Sequence, residues 1–361
     1  MLAAMKKEIG APLNPPRGGE ESGASPLRGG LREATSTLYF GGGTPSVLTI
    51  DELAELLETV LQYYTLDANA EITLEANPDD LTDDYLAALH QLGFNRLSIG
   101  IQSFFDDDLR WMNRRHNARE AVQSVEAARR HGFRNINIDL MYGLPSLTAE
   151  RWEANLKQAL ALDVPHLSAY HLTIEPRTVF GRRQARGELF TIPEDESAAQ
   201  FYTLLDTMEE AGYEHYEISN FARPGFRSRH NTAYWQQKPY IGIGPAAHSY
   251  DGQSRRWNVS NNSEYIARLT PFSLSQKAWF ESELLTPAEQ YNDYVLVSLR
   301  TIWGVDCEYI RAHFGEFFVN EFLRQTASYL QNGYIQEQSG VFTLTRKGKL
   351  IADRIASDLF L

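Results

Sequence analysis

Short apolar segments rich in β-branched and aromatic residues alternate with segments of helical periodicity along most of the chain. Six of them predict strands, the last with the weakest pattern: 36–40, 71–76, 95–101, 135–141, 166–172 and 214–218. Repeated alternation of strand and helix favours a parallel sheet covered by helices, either an open doubly wound sheet or a barrel.

Two of the predicted helices carry explicit start signals. Thr49 with Glu52, and Asn117 with Glu120, have the spacing of a capping box, and Gly132 stands where the second helix should end. Two further apolar stripes indicate helices at 152–160 and 201–208.

Polar residues stand at the ends of five successive predicted strands. They are Gly41 to Thr44, Glu75, Asn77, Gln102, Ser103, Asp139, Tyr170 and His171. Each alone has an ordinary explanation as a loop residue or a helix cap. Because ligands bind at the carboxyl ends of the strands in both candidate architectures, the set predicts a shared ligand-binding rim.

The first of these segments, "GGGTP" at 41–45, matches neither the dinucleotide fingerprint nor the P-loop. A tight turn is the simplest explanation of three glycines. Directly after a strand, however, their exposed backbone N–H and C=O groups can bond a polar ligand. A zwitterionic amino-acid group would suit such an edge.

The composition argues against several classes of function. A net charge of −13 disfavours general binding of nucleic acid or anionic membranes. No apolar run is long enough to span a bilayer and no signal peptide is recognisable, so we expect a cytoplasmic protein. The one cysteine, Cys307, excludes an intramolecular disulfide and cannot by itself supply a cysteine-rich metal site.

Histidines offer two further kinds of site. His116, His171, His230 and His248 lack the tight spacing of known metal motifs, which makes a metal-dependent barrel hydrolase a distant hypothesis. The segment "HNTAYW" at 230–235 combines polar and aromatic side chains that can stack on a flat ring and reach its polar edge or metal. An aromatic cluster joining two domains explains its composition equally well.

Seven segments, taken in order, resemble the radical S-adenosylmethionine (SAM) family of oxygen-independent coproporphyrinogen III oxidase-like proteins, most closely its HemW heme chaperone branch. They are "GGGTPS", "LEANPDDLT", "RLSIGIQSF", "NINIDLMYGLP", "YHLTIEPRT", "HNTAYW" and "GIGPAAHS". The resemblance implies the α/β class, with a partial (β/α)6 barrel, the cofactor at its carboxyl rim, and a helical, winged-helix-like C-terminal domain.

The resemblance also implies residues for two ligands. The SAM site falls on Gly42, Gly43, Thr44, Glu75, Gln102, Arg114, Asp139, Tyr170 and His248. Because "HNTAYW" is characteristic of the heme chaperone branch, the candidate heme contacts are His230, Asn231, Tyr234 and Trp235. No residue is assigned a catalytic or metal-ligating role.

One departure from the family is severe. Its radical chemistry needs a C-x-x-x-C-x-x-C loop whose thiolates hold a [4Fe–4S] cluster, and this sequence lacks that loop. The chain as written should therefore neither bind the cluster nor cleave SAM reductively. The opening "MLAAMKKEI" matches the family's first helix part-way along, so the first barrel strand is expected to be missing too. A start codon assigned too far downstream is favoured over a cluster-free descendant, because the SAM-site residues remain.

The resemblance divides the chain into four predicted parts. They are a residual first helix with a flexible Gly/Pro-rich loop (1–35), the partial barrel (36–225), a connecting region (226–285) and a C-terminal helical domain (286–361). The last part has a helix–helix–hairpin order, ends in a helix from Arg346 to about Leu359, and carries nearly balanced charge. Balanced charge favours a packing module over a DNA-binding one.

The leading hypothesis is a heme chaperone that transfers heme to acceptor proteins, with SAM and a [4Fe–4S] cluster in its intact form. An oxygen-independent coproporphyrinogen III oxidase and a cluster-free protein that binds heme or SAM are the alternatives. The sequence indicates neither the oligomeric state nor the side chain that would ligate heme iron.

Overall fold

The computed structural model describes residues 1–11, 34–189, 191–269 and 278–361. The predicted flexible loop between Gly10 and Leu31 lies almost entirely outside them. Strands of the described part are β1 (Thr35–Phe40), β2 (Leu66–Ala76), β3 (Arg96–Gln102), β4 (Asn135–Tyr142), β5 (His166–His171), β6 (Glu214–Glu217), β7 (Asn220–Ala222), β8 (His248–Tyr250), β9 (Ser254–Asn258), β10 (Phe280–Leu284), β11 (Val305–Asp306), β12 (Ile335–Gln338) and β13 (Val341–Leu344). The α-helices are α1 (Leu2–Gly10), α2 (Ile50–Tyr63), α3 (Asp83–Gln91), α4 (Asp106–Trp111), α5 (Ala118–Arg130), α6 (Ala149–Ala161), α7 (Val179–Ala185), α8 (Glu194–Glu210), α9 (Arg229–Trp235), α10 (Asn262–Leu269), α11 (Pro287–Leu299), α12 (Cys307–Phe314), α13 (Glu316–Gln331), α14 (Arg346–Lys349) and α15 (Ala352–Asp358).

The main sheet has seven strands in the order β1-β2-β3-β4-β5-β7-β6. Strands β1 to β5 are parallel, which confirms the predicted α/β class and the parallel core of a partial barrel. The sixth predicted strand differs, because β6 and β7 form an antiparallel pair and β7 also runs antiparallel to β5. Only residues 218 and 219 separate β6 from β7, too few for the crossover that a parallel pair needs.

The two faces of this sheet differ in chemistry. Alternate residues such as Leu74, Ile99 and Ile138 belong to an apolar cluster that the helices cover. The intervening residues form a polar face, where side chains bond across neighbouring strands. Examples are the bonds from Asn137 Nδ2 to Ser98 Oγ at 2.7 Å and between His166 Nδ1 and Asn137 Oδ1 at 2.6 Å. Strand alternation sends Glu75, Asp139 and Tyr170 to this polar face. Two predicted rim residues lie elsewhere, because the ring of His171 packs against Tyr142 of the apolar cluster and the buried hydroxyl of Ser103 donates to Asp108.

The predicted helix starts are confirmed by hydrogen bonds. Thr49 with Glu52 at α2, and Asn117 with Glu120 at α5, each make both bonds of a capping box. Each box satisfies two N–H groups that a helix terminus would otherwise leave without partners. The predicted end at Gly132 is also confirmed. Helix α5 ends at Arg130, and Gly132, two residues later, has a φ of +96°.

The predicted final helix is divided into α14 and α15. Ile351, with φ −127° and ψ 31°, departs from helical geometry between them. Gly348 packs so closely on the backbone that an added Cβ would lie 2.0 Å from the carbonyl oxygen of Tyr334. The helical periodicity of the sequence continues from α14 into α15, which is why one helix is predicted. The close contact of Gly348 with Tyr334, the residue before β12, holds α14 apart from α15.

Buried apolar side chains form three clusters in the described part. The largest lies between the main sheet and its helices, and the second joins α11 to α15 with the β11–β13–β12 sheet. In the third, Ala4 of α1 packs with Tyr265 and Leu269 of α10. The domain division at 35, 225 and 285 stays a prediction.

Two features are absent from the residues that the structure describes. None of their helices is both long and apolar enough to cross a membrane. The same residues contain no group of three or more His, Cys, Asp or Glu side chains placed to hold a metal ion.

Candidate functional site

The glycines after β1 form an open edge. Gly42 and Gly43 have φ values of +76° and +68°, in the left-handed region that favours glycine. A Cβ added at either residue would meet no atom within 4 Å, so the backbone is accessible from the side where a side chain would stand. The hydroxyl of Ser46 anchors the loop, because it donates to Asp80 at 2.6 Å and accepts from the N–H of Asn77 at 3.1 Å.

Glu75, near the end of β2, is bound to this edge through both carboxylate oxygens. Oε2 accepts from the N–H of Gly42 at 3.0 Å, and Oε1 accepts from the hydroxyl of Tyr39 at 2.6 Å. Gly41 lies between these contacts, and a Cβ there would stand 2.4 Å from the Tyr39 ring. Glycine at position 41 is therefore required by the close approach of Tyr39.

Arg114 joins the ends of β2 and β3. Its guanidinium donates to Asn77 Oδ1 at 2.6 Å and to the carbonyl of Gly100 at 3.0 Å, and burial lowers its pKa. Gln102 ends β3 beside a register shift, with a φ of +69°. A positive φ is uncommon for a residue with a side chain, and such positions recur at functional sites.

Asp139 is a half-buried carboxyl in the middle of β4. Burial raises its pKa to about 6, although hydrogen bonds from Asn137, at 2.7 Å, and from Ser168 act in the opposite direction. With a pKa of about 6 this carboxyl is mainly ionised at neutral pH, where it can only accept hydrogen bonds from a ligand, whereas below that pKa it can also donate one.

Asp139→Asn should reduce the loss of stability that accompanies a rise in pH. The folded-state pKa of Asp139 lies above the ordinary 3.8, so between about pH 4 and pH 6 the folded protein holds a proton that the unfolded chain has released. Stability contributed by this group therefore falls through that window and stays lower above it. In Asp139→Asn, the difference in unfolding free energy between about pH 4 and pH 7 should shrink by about 1–3 kcal/mol. Urea unfolding at both pH values measures it, with exposed Asp84→Asn as the control. An unchanged difference would contradict the assignment.

The structure brings most predicted SAM-site residues to one rim, but not His248. The side chain of Tyr170 ends β5 and is 42% exposed there. Burial, followed by the Asp139 carboxyl, raises the pKa of the Tyr170 hydroxyl. His248 lies on β8, outside the main sheet, where its ring is 6.4 Å from that of Trp257. Within the described part, no hydrogen bond connects the His248 side chain to the rim.

The segment "HNTAYW" forms most of helix α9, which lies against β1. Ser228 caps this helix, and Glu71 of β2 accepts hydrogen bonds from the backbone N–H groups of Arg229 and His230. A buried carboxylate at a helix N-terminus complements the helix dipole. Trp235, at the other end, lies with its ring centroid 5.7 Å from the guanidinium carbon of Arg300, which is in the helical C-terminal part.

The His230 ring is held from three sides. Its Nδ1 is 2.9 Å from Thr37 Oγ1 and its Nε2 is 3.2 Å from the hydroxyl of Tyr234, while the ring stacks on Tyr39 at 4.7 Å and 14°. Burial, assisted by Arg96, lowers the pKa of His230 to about 4. The imidazole is therefore neutral at neutral pH, which is the state in which histidine binds metals.

Aromatic rings continue from His230 away from the sheet. Tyr234 packs edge-on against His230 and Tyr240, with centroid distances of 4.8 and 4.4 Å, and Tyr240 lies 6.2 Å from Tyr250. We call Tyr39, His230, Tyr234 and Tyr240 the aromatic row. Tyr234 is 40% exposed, so the row reaches the surface. Asn231 is half-buried, and its backbone N–H bonds the Ser228 cap at 3.2 Å.

Tyr39 is the site residue that the sequence predictions omitted. Its position on β1 gave a usable signal, because residues 37, 39 and 41 share one face of a strand and Gly41 was already assigned to the rim. Its two partners, Glu75 and His230, are 36 and 191 residues away along the chain. Local periodicity does not reveal such distant partners.

The parallel strands, the glycine edge and the polar carboxyl rim agree with a partial barrel of the radical SAM class. A sequence profile of the Radical SAM superfamily matches residues 28–159. The solved structure of coproporphyrinogen III oxidase (HemN) from Escherichia coli, described as a radical SAM enzyme, superimposes with a TM-score of 0.79 and covers 99% of this chain and 82% of that one. At 24% sequence identity this likeness shows the fold alone.

Curated relatives narrow the class to one family. The heme chaperone HemW of Bacillus subtilis (strain 168) is 34% identical over 320 residues, covering 88% of this chain and 84% of the relative. HemW of Lactococcus lactis subsp. lactis (strain IL1403) is 38% identical over 258 residues, covering 70% and 68% respectively. The chain belongs to the HemW family of radical SAM proteins.

The residues present fit one of the two family cofactors. The accessible backbone at Gly42 and Gly43, with the Glu75 carboxylate beside it, offers donors and acceptors suited to the amino acid of SAM. A [4Fe–4S] cluster does not fit this chain, because its one cysteine is Cys307 and that side chain is buried in the C-terminal apolar cluster.

Proposed function

We propose that this protein binds heme and transfers it to an acceptor protein, and that SAM binds at the rim. The observation that carries the heme proposal is the neutral His230 imidazole within the aromatic row, beside the glycine edge. Aromatic faces stack on a flat macrocycle, and a neutral imidazole is a common ligand of heme iron. Membership of the HemW family supports the same function.

At the rim, the chain's own residues have separable tasks. Gly42, Gly43 and Thr44 would hold the amino-acid end of SAM through backbone groups, and Glu75 would accept its N–H or O–H donors. Arg114 would keep the ends of β2 and β3 together through its bonds to Asn77 and Gly100. The other proposed contacts are Gln102, Asp139 and Tyr170.

Several further points stay predictions. They are the heme contacts of Asn231 and Trp235, the SAM contact of His248, the transfer to an acceptor protein and the cytoplasmic location. For Trp235, the packing against Arg300 agrees equally with a role in joining α9 to the C-terminal part.

His230→Ala should weaken hemin binding at least about tenfold and shift the Soret band, because both the iron ligand and a stacking ring are removed. Hemin titrated into the full chain and followed by absorption measures this. His313→Ala is the matched control, since His313 also stacks on a tyrosine, Tyr309, at 3.8 Å and 18°, but in the C-terminal part.

Other experimental outcomes would contradict the assignment of His230, the heme proposal or the choice of a chaperone over an oxidase. Unchanged affinity and spectrum in His230→Ala would remove His230 from the site, and absence of hemin binding to the unaltered chain would refute the heme proposal. The oxidase alternative needs a cluster that does not fit this chain, so coproporphyrinogen III should remain unconsumed under anaerobic conditions. Its consumption would favour the oxidase alternative and contradict the absence of a cluster.

A further inference from the structure

Tyr39 makes contact with both proposed ligand sites. One face of its ring stacks on His230, with centroids 4.7 Å apart, while its hydroxyl donates to Glu75 Oε1 at 2.6 Å. In the described part of the chain, no other side chain both stacks on or hydrogen-bonds to His230 and hydrogen-bonds to Glu75. The heme and SAM sites are thus joined through one residue of β1.

The two contacts constrain the same side chain in different ways. Stacking fixes the plane of the ring, and the hydrogen bond fixes its rotation toward β2. Burial and the adjacent Glu75 carboxylate raise the pKa of Tyr39 above its usual value, so its hydroxyl stays protonated and continues to donate. A change at Glu75 therefore reaches His230 through a rigid ring and one hydrogen bond.

Glu75 retains capacity for a ligand. A carboxylate has about four lone-pair positions, and the protein occupies two of them through Tyr39 and Gly42. A ligand that donates to a remaining position would immobilise the carboxylate and, with it, the Tyr39 ring. The ligand would thus reinforce the contacts that already hold Tyr39 and His230, so that heme binding has less side-chain motion left to remove.

We infer that Tyr39 is a positioning residue through which SAM and heme bind with positive cooperativity. This inference rests on the proposed function and adds a specific link between its two ligands. Thermodynamic linkage requires the effect to be reciprocal, so SAM must tighten hemin binding by the factor by which hemin tightens SAM binding.

Tyr39→Phe tests the link because phenylalanine keeps the stacking ring and removes only the hydroxyl. In the unaltered protein, saturating SAM should tighten hemin binding about fivefold or more. In Tyr39→Phe this factor should fall to about one, because the ring still stacks on His230 but no longer bonds to Glu75. Hemin titrations with and without SAM measure both quantities.

Two further variants make the result specific. Tyr329→Phe also removes a hydrogen bond from a tyrosine to a carboxylate, in this case to Asp358 in the C-terminal part. In this variant SAM should tighten hemin binding by the same factor as in the unaltered protein. Thr37→Val removes the hydroxyl at Nδ1 of His230 without touching Glu75, so hemin affinity should fall while the factor persists.

The outcomes separate this inference from the function on which it rests. Hemin binding that SAM leaves unchanged in the unaltered protein, or a factor that survives in Tyr39→Phe, would overturn the link. Failure of the unaltered protein to bind hemin would instead refute the proposed function.

Discussion

Glu8→Ala should lower the free energy of unfolding by about 3–5 kcal/mol. Glu8 of α1 is 2% exposed, and its carboxylate accepts hydrogen bonds from Asn258 Nδ2 at 2.6 Å, from Gly244 N–H at 2.9 Å and from the hydroxyl of Tyr265. It also lies 3.3 Å from a guanidinium nitrogen of buried Arg256. Alanine would leave Arg256 without its carboxylate and several buried donors without their acceptor.

Denaturant unfolding of the purified full chain measures this loss. Lys6→Ala is the control on the same helix, because Lys6 pairs with Glu55 at the exposed surface and such pairs contribute about 0–1 kcal/mol. A loss in Glu8→Ala no larger than in Lys6→Ala would show that the buried network contributes little. The expected loss would instead establish that α1 holds the segment containing Gly244 in place.

The second large effect is expected at Trp152, whose replacement by alanine should cost about 3–5 kcal/mol. Trp152 is 0% exposed in the main apolar cluster, and its indole N–H donates to the carbonyl of Gln200 at 2.8 Å. The Gln200 side chain in turn accepts from Gly143 N–H and donates to the carbonyl of Leu147, at 2.9 and 2.8 Å. Trp152→Ala would thus open a cavity and loosen the loop after β4.

Thermal and urea unfolding check this prediction. Val179→Ala is the contrasting variant, because Val179 is 62% exposed and truncation there should change stability by less than about 0.5 kcal/mol. If Trp152→Ala were equally mild, neighbouring side chains would have to collapse into the vacated volume, and the packing around Gln200 would be less rigid than the hydrogen bonds indicate.

Periodicity and strand order predicted the core of the fold well. The apolar segments at 95–101 and 135–141 became β3 and β4 with small shifts at their ends, because their alternation is strong. The sequence pattern predicts that β2 begins at 71, since residues 67–70 lack apolar alternation. The strand begins at Leu66 instead, because Leu66 pairs with Thr35. The rim followed from topology, since parallel strands bring their carboxyl ends together.

Helix α9 was not predicted, for a different physical reason. Its residues include Asn231, Thr232 and Tyr234, which have modest helix propensity, and no apolar stripe marks one face. Glu71 satisfies its first N–H groups from 158 residues away in sequence, so a tertiary contact supports this helix. The stacking of His230 on Tyr39 has the same origin. Propensity and periodicity contain no information about such pairs.

The solitary thiol makes this protein well suited to site-specific labelling. Cys307 is buried, and burial raises its pKa, so little reactive thiolate forms at neutral pH. A cysteine introduced at an exposed position such as Val179 would react with a maleimide fluorophore or spin label much faster than the native one. Paired labels at two such positions would then report distance changes between the rim and the C-terminal part without first removing a native residue.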